Sequence, residues 1–159
     1  LAPIPNIQAR KKYLRIHDLH HVMTGYGVDR IGESEASAWE LGARSCRKPI
    51  ISLMNLFALS TGFILSPKRV TRAFYRGCRS KNLYYLADST TEAEFDRMDA
   101  QQLTKNHVEI RDHIRYKPFR QIEFFGYIVI SMGIHIFMVI AGKMALMSEW
   151  LYKRVRKSG

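Results

Sequence analysis

Two histidines and two carboxylates near the start of the chain have the spacing of metal ligands. His17 and His21 are four residues apart, so a helix would place both imidazole rings on one face. Asp18, three residues before His21, would share part of that face. Two imidazoles and a carboxylate from one helical turn can bind a divalent metal. With Glu33 as a further carboxylate, the sequence predicts one divalent metal ion held by His17, Asp18, His21 and Glu33.

Glu33 can reach this face only if the chain reverses direction after His21. On a straight helix the distance between the two residues would be about 18 Å, far longer than a metal–ligand bond. Gly25 and Gly27 lie in this interval, and glycine readily adopts the backbone angles of a sharp turn. Mixed histidine and carboxylate ligands favour zinc, with iron or another divalent metal as alternatives. The competing interpretation is a set of polar residues on a helix surface.

His20 extends the motif to the HxxHH pattern found in two-metal membrane desaturases and hydroxylases. Such sites draw histidines from several motifs, whereas this chain has six histidines in all. His107, His113 and His135 stand alone in the sequence, which argues against a two-metal desaturase. We expect His20 to be a surface residue or a neighbour of the metal ligands. His135, in an apolar segment, is expected to be packed or hydrogen-bonded.

The rest of the chain has helical periodicity and no sustained strand alternation, which predicts an all-α helical bundle. Pro3 and Pro5 indicate an extended arm over 1–10. Within 11–120, which we interpret as a metal- and lipid-binding helical domain, helices are predicted at about 11–23, 29–47, 49–67, 66–86 and 89–107. Ser89 and Glu92 have capping-box spacing at the start of the last of these helices. The uncharged helix at 49–67 could be a core helix or could line a lipid groove.

A hydrophobic segment with a basic tail follows over 121–159. Its 19 residues from Phe124 to Gly142 carry no formal charge, enough to cross the roughly 30 Å hydrocarbon core as a helix. Trp150 and Tyr152 lie where interfacial aromatic residues are expected. The sequence therefore predicts a C-terminal transmembrane helix, with a buried hydrophobic hairpin arm as the alternative.

The net charge of +11 favours an anionic partner. A membrane surface fits better than a nucleic acid, because the cations flank apolar runs and no nucleic-acid-binding motif is present. Lys68, Arg69, Arg72 and Arg76 are candidate lipid-headgroup contacts, the alternative being a solvated helix face. Cys46 and Cys78 lack metal-site spacing and are expected to be free thiols in a reducing compartment.

The metal motif resembles a known family. The pattern HDLHH, then eleven residues, then Glu33 is similar to the HDxxH-x11-E motif of the fourth coenzyme Q biosynthesis protein (the Coq-four family). The resemblance covers residues 10–85 and includes TGYG at 24–27, Gly32 before Glu33, and LSPKRV at 65–70. The acidic helix at 89–107 and the apolar C-terminal segment are departures from the family pattern.

The resemblance implies an all-α protein that binds a divalent metal and holds a prenyl-lipid tail. It implies a ubiquinone-biosynthesis protein at the matrix side of the mitochondrial inner membrane, or at the cytoplasmic face of a bacterial inner membrane. Its partners would be a polyprenylated quinone precursor, membrane lipids and other quinone-pathway proteins. If the chain is an enzyme, the step would be a metal-dependent oxidative decarboxylation or hydroxylation of a polyprenyl hydroxybenzoate. The alternative is a non-catalytic subunit of a respiratory membrane complex that keeps the fold.

Overall fold

The structure is a computed structural model that describes residues 8–45, 49–95 and 97–158. All regular elements in these ranges are helical, which confirms the all-α class. In chain order they are α1 Gln8–Thr24, α2 Arg30–Gly42, α3 Pro49–Leu65, α4 Pro67–Cys78, the 3-10 helix Tyr84–Asp88, α5 Glu92–Phe95, α6 Ala100–His107 and α7 Lys117–Ser158.

Helix α2 lies at the centre of the fold and is buried on all sides from Ser34 to Gly42. It packs between α3 and α4 through a core in which every side chain is nearly inaccessible. The members of this core on α2, α3, α4 and the first part of α7 are Ala38, Leu41, Leu59, Val70, Ala73, Phe74, Cys78, Phe124 and Ile128. The α2–α4 contact is close because Gly77 has no side chain. A Cβ atom there would lie 2.0 Å from the Trp39 carbonyl oxygen.

Helix α1 packs on a second apolar cluster, whose buried members are Ile16, Met23, Ile51, Leu83 and Tyr84. The 3-10 helix and α6 cover this side of α1. Two partly buried residues, Leu103 on α6 and Val108 directly after α6, pack against the same cluster. This arrangement holds α1 beside α2, so that the histidine-bearing face of α1 meets the first turns of α2.

Helix α3 has two different sides. Asn55, Leu59 and Ser60 are buried, whereas Leu53 and Phe57 are exposed. The uncharged sequence at 49–67 is therefore neither a fully buried core helix nor fully exposed.

Several predicted helix boundaries differ from the structure. The predicted 29–47 helix ends at Gly42, with Asp29 as its N-cap. The extended arm predicted for 1–10 lies largely outside the described residues, but 8–10 are helical. The predicted 89–107 helix is wrong as a single element, because α5 and α6 are separate and Asp99 caps α6.

The capping box is also shifted by two residues. Ser89 ends the 3-10 helix instead of beginning an α-helix. The Glu94 carboxylate accepts hydrogen bonds from both the backbone N–H and the hydroxyl of Thr91, each at 2.7 Å. The sequence 89–94 contains two overlapping S/T-x-x-E patterns, and the chain uses the second.

Helix α7 extends well beyond the core. Phe124 stacks on Phe74 with ring centroids 4.5 Å apart, and Ser131 donates a hydrogen bond to the Leu56 carbonyl. The large apolar side chains that the structure describes between Ile136 and Tyr152 are exposed, and only 17% of the most apolar 18-residue stretch of the helix is buried. Among the described residues, this is the one helix long and apolar enough to cross a membrane, by length and composition alone. The alternative prediction, a buried hydrophobic hairpin arm, is wrong for these residues.

Candidate metal centre

The reversal between α1 and α2 is built by a short turn. Gly25 adopts a φ of +74°, a conformation that glycine reaches without a steric penalty, and its N–H bonds to the His21 carbonyl at 2.9 Å. The Asp29 carboxylate accepts from the Gly32 N–H at 2.6 Å and so begins α2. Glu33 therefore stands in the first turn of α2, facing His17 and His21.

Three ligand atoms converge at this point. The Nε2 atoms of His17 and His21 are 3.1 Å apart, and Glu33 Oε2 lies 3.2 Å from His17 Nε2. Glu33 Oε1 lies 3.6 Å from His21 Nε2. In a tetrahedral zinc site with bonds of about 2.0–2.1 Å, neighbouring ligand atoms are about 3.3 Å apart. The three separations therefore fit a single divalent metal at their centre.

Both histidines are oriented for metal binding by hydrogen bonds at their other nitrogen. His17 donates through Nδ1 to Glu40 Oε1 at 2.7 Å, and His21 donates through Nδ1 to the Tyr26 carbonyl at 3.1 Å. In the neutral rings this leaves a lone pair on each Nε2 atom. The two Nε2 atoms lie 3.1 Å apart, so their lone pairs need either a proton on one ring or a metal ion between the two. Metal-binding histidines usually donate their other ring N–H to a carboxylate or a backbone carbonyl in this way.

The titration of His17 reflects the same arrangement. Burial alone would lower its pKa, but hydrogen bonds and charge interactions with Glu40 and Glu33 outweigh burial and raise the pKa to about 9. The free site thus favours a positive charge beside these carboxylates.

Glu40 is the central acceptor behind the site and is fully buried. Its Oε1 accepts from His17 and from His20, both at 2.7 Å. Its Oε2 accepts from Asn55 Nδ2 at 2.9 Å and from the Tyr84 hydroxyl at 2.8 Å. One carboxylate therefore connects α1, α2, α3 and the 3-10 helix.

The charge of Glu40 is stabilised by these donors. Burial alone would raise its pKa, but the hydrogen bonds from His17 and His20 outweigh burial and hold the pKa well below its usual range. Burial and the Glu40 charge raise the pKa of Tyr84, so its phenol remains a donor. Glu40 therefore acts as a fixed negative charge that orients His17.

The predicted site residues fall into two groups. His17, His21 and Glu33 form the one cluster in the described part of the chain that could hold a metal ion. Asp18 points to the exposed side of α1 and lies outside this cluster, so a ligand role for it stays a prediction. His20 is buried, with Nε2 accepting from the Leu83 N–H at 2.9 Å. His20 is therefore a neighbour of the metal ligands and not a surface residue, which agrees with one of the two expectations.

Sequence reasoning missed the role of Glu40. It lies seven residues after Glu33, two helical turns along the same face of α2. This spacing is the only local feature of the sequence that could have indicated a role for Glu40. His135 is hydrogen-bonded as expected, with Nδ1 3.1 Å from the Ser60 hydroxyl.

Two of the four proposed headgroup cations have partners within the fold. The Arg69 guanidinium pairs with both Glu35 oxygens, at 2.9 and 2.6 Å. Arg76 donates to the Thr24 carbonyl at 2.6 Å and pairs with Glu109 at 3.1 Å. Lys68 and Arg72 are exposed on α4. Their contact with lipid stays a prediction.

Comparison with protein-family models, with curated proteins and with solved structures finds no match to this chain.

Proposed function

We propose that this chain is a membrane-associated metalloprotein of the ubiquinone-biosynthesis type. It would bind a polyprenylated quinone precursor, or a related lipid, and position the head group at a divalent metal. The observation that carries the proposal is the convergence of His17 Nε2, His21 Nε2 and the Glu33 carboxylate, with both Nδ1 atoms already engaged as donors.

Two histidines and one carboxylate are the protein ligands of many catalytic zinc sites and of open non-haem iron sites. A bound divalent metal would supply Lewis acidity or, if it were iron, oxygen activation. His17, His21 and Glu33 would hold it. Glu40 would keep the His17 ring in its ligating tautomer and orientation. Zinc is the first candidate and iron the second.

Exposed apolar surface on α3 and α7 supports a lipid partner. Phe57 and Ile64 on α3 are about half exposed, as are Val129 and Ile130 on α7, and the two helices pack together. Burying each CH₂ group of a prenyl tail would contribute about 0.8 kcal/mol. A long tail could therefore dominate the affinity, while the metal site sets the orientation of the head group. A location at the mitochondrial or bacterial inner membrane belongs to this proposal.

The alternative function is that of an accessory subunit in a larger membrane complex. The observation that favours it is the apolar surface of α7 beyond Ile136, which is exposed in the described residues. Other membrane subunits could cover that surface. In this case the metal site would be structural or retained by descent.

Metal content is the first test of the proposal. Elemental analysis of the detergent-purified protein should find about one divalent metal per chain, and a His17→Ala/His21→Ala variant should lose it. The matched control is His107→Ala/His113→Ala, which removes two histidines outside the cluster. A folded wild-type protein that takes up no metal, or a ligand variant that keeps it, would contradict the site.

Function is then tested by complementation. The wild-type chain should restore quinone synthesis in a strain that lacks this biosynthetic step, and the ligand variant should not. Failure to complement, together with co-purification in a large membrane complex, would favour the accessory-subunit function.

A further inference from the structure

A cavity with a volume of about 1030 Å³ lies away from the metal ligands. Three segments line it, at the end of α2 (42–45), at and after the end of α4 (78–85) and before α7 (111–115), together with Arg120 of α7. Tyr84 forms part of the wall, but its hydroxyl donates to Glu40. Tyr84 therefore lies between the cavity and the residues behind the metal centre, although different residues line the two sites.

The cavity wall is strongly basic. Five cationic side chains line it against the single carboxylate of Asp112. The five are Arg44, Lys81, Arg111, Arg115 and Arg120. Within the described ranges, Arg44, Lys81, Arg111 and Arg115 form no ion pair with a carboxylate. The positive charge of this wall is thus mostly uncompensated.

Arg120 differs from the other four because it is part of the packing. It is buried, donates to the Gly42 carbonyl and to Cys78 Sγ, and pairs with Glu123. These bonds fix the turn after α2 to the start of α7. Arg120 is therefore committed to partners within the fold, whereas the other four cations are exposed.

Arg44 is held in an unusual backbone conformation. Its φ is +63°, in the left-handed region that a residue with a long side chain seldom adopts. The Arg44 N–H bonds to the Leu41 carbonyl at 3.1 Å, so the residue closes the end of α2. Glycine would be the ordinary residue at such a helix end. Strain of this kind is concentrated at binding sites and other functional positions.

We propose that this cavity binds a phosphate-bearing anion, at a site separate from the metal centre. Guanidinium groups match the oxygen geometry of phosphate through paired hydrogen bonds, and the wall offers several of them. The cavity is large enough for a diphosphate or a phospholipid headgroup. The exposed Tyr85 ring adds an apolar surface beside the cations.

Two sources of phosphate fit this chemistry. A soluble diphosphate would need only the cations of the wall. The location of the cavity would also favour a lipid phosphate, because Arg115 lies two residues before α7, the helix with the apolar surface. Both sources share the same contacts, so they can be distinguished with the same variants.

The test uses the full-length, detergent-solubilised chain and two probes, inorganic pyrophosphate and the soluble short-chain lipid dihexanoylphosphatidylglycerol. Isothermal titration should show saturable binding of at least one probe. Arg44→Gln/Lys81→Gln should weaken that binding at least tenfold. The matched control, Arg97→Gln/Lys105→Gln, removes the same charge from exposed residues near and on α6 and should change it less than twofold.

The probe that binds identifies the source of the phosphate. Absence of binding by both probes overturns the proposal, as does equal weakening in both double variants, which would indicate only a general charge effect. Arg111→Gln provides an independent variant should the first pair fail to fold. Metal content measured on the same samples should stay unchanged, so failure here is distinguishable from failure of the metal site.

Discussion

His17 donates a hydrogen bond from Nδ1 to Glu40 Oε1 at 2.7 Å, across the interface between α1 and α2. The bond joins a residue of the metal cluster to a carboxylate that no solvent reaches. All four side chains around Glu40 are donors, so both of its oxygens must accept. Only an ionised carboxylate can meet that requirement.

Glu40→Gln should therefore impair both folding and metal binding. The amide would turn one N–H₂ group toward two other donors, leaving buried polar groups without acceptors. We expect the free energy of unfolding to fall by about 3 kcal/mol. Metal affinity should fall about 10- to 100-fold because His17 loses its orienting partner. Denaturant unfolding and competition with a metal chelator measure the two effects.

Glu35→Gln is the matched control for that variant. Glu35 is also buried on α2, but its partner Arg69 is half exposed and neither touches the metal cluster. This substitution should destabilise the fold less than Glu40→Gln does, because water can reach the Arg69 side of the pair, and it should leave metal affinity unchanged. Equal metal affinities in the two variants would show that Glu40 has no positioning role.

Metal uptake should release protons and depend on pH. The raised pKa of His17, about 9, means that the free site carries a proton at neutral pH. The metal must displace it, and this competition weakens as the pH rises toward 9. Apparent affinity should therefore rise about tenfold per pH unit between pH 6.5 and 8.5.

Calorimetric titration in two buffers of different ionisation enthalpy measures this proton release. About one proton per metal is expected at pH 7. His107→Ala should leave the count unchanged, since that ring lies outside the cluster. Metal binding without proton release would contradict the displacement of a proton from His17 by the metal.

The ligand cluster could be anticipated from sequence because its signals are local. The four-residue spacing of His17 and His21 needs only a helix, and Gly25 marks the reversal that brings Glu33 back. Each of these steps follows from helix geometry and glycine's conformational freedom. The three residues meet in the structure, as the pattern indicated.

The network behind the cluster could not be anticipated in the same way. Asn55 and Tyr84 reach Glu40 from elements 15 and 44 residues away, through tertiary packing that leaves no periodic trace. The break between α5 and α6 was missed for a related reason. A helical pattern continued past Asp99, and nothing in the pattern showed that Asp99 would cap a new helix.

Asp18 and Glu33 should differ in their effect on metal binding. Glu33 lies beside both Nε2 atoms, whereas Asp18 is exposed and outside the cluster. Glu33→Gln should weaken metal binding by at least tenfold, and Asp18→Asn by less than threefold. Parallel chelator competition on the two variants compares them directly. A large loss in Asp18→Asn would restore Asp18 to the ligand set that the sequence predicts.

The close α2–α4 contact predicts a second structural sensitivity. In Gly77→Ala the new methyl would meet the Trp39 carbonyl oxygen at 2.0 Å, and backbone cannot move aside cheaply. Overpacking of this kind costs about 1–3 kcal/mol. Gly133→Ala on α7 is the control, because no atom lies within 4 Å of its Cβ position and alanine favours helix. Thermal unfolding should show a lower midpoint for Gly77→Ala and an equal or higher one for Gly133→Ala.

The exposed apolar part of α7 should govern membrane association. Phe137 and Ile140 are more than half exposed and lie on a helix long enough to cross a bilayer. Phe137→Arg/Ile140→Arg places two charges in this surface, each costing about 2.5–3.5 kcal/mol near the centre of a bilayer. We expect the wild-type chain to resist alkaline carbonate extraction from membranes and the variant to be released while keeping its metal. Gln101→Arg/Gln102→Arg adds the same charge to the polar helix α6 and should leave the chain in the membrane fraction. Release of the wild type by carbonate would instead assign the apolar surface of α7 to a protein partner.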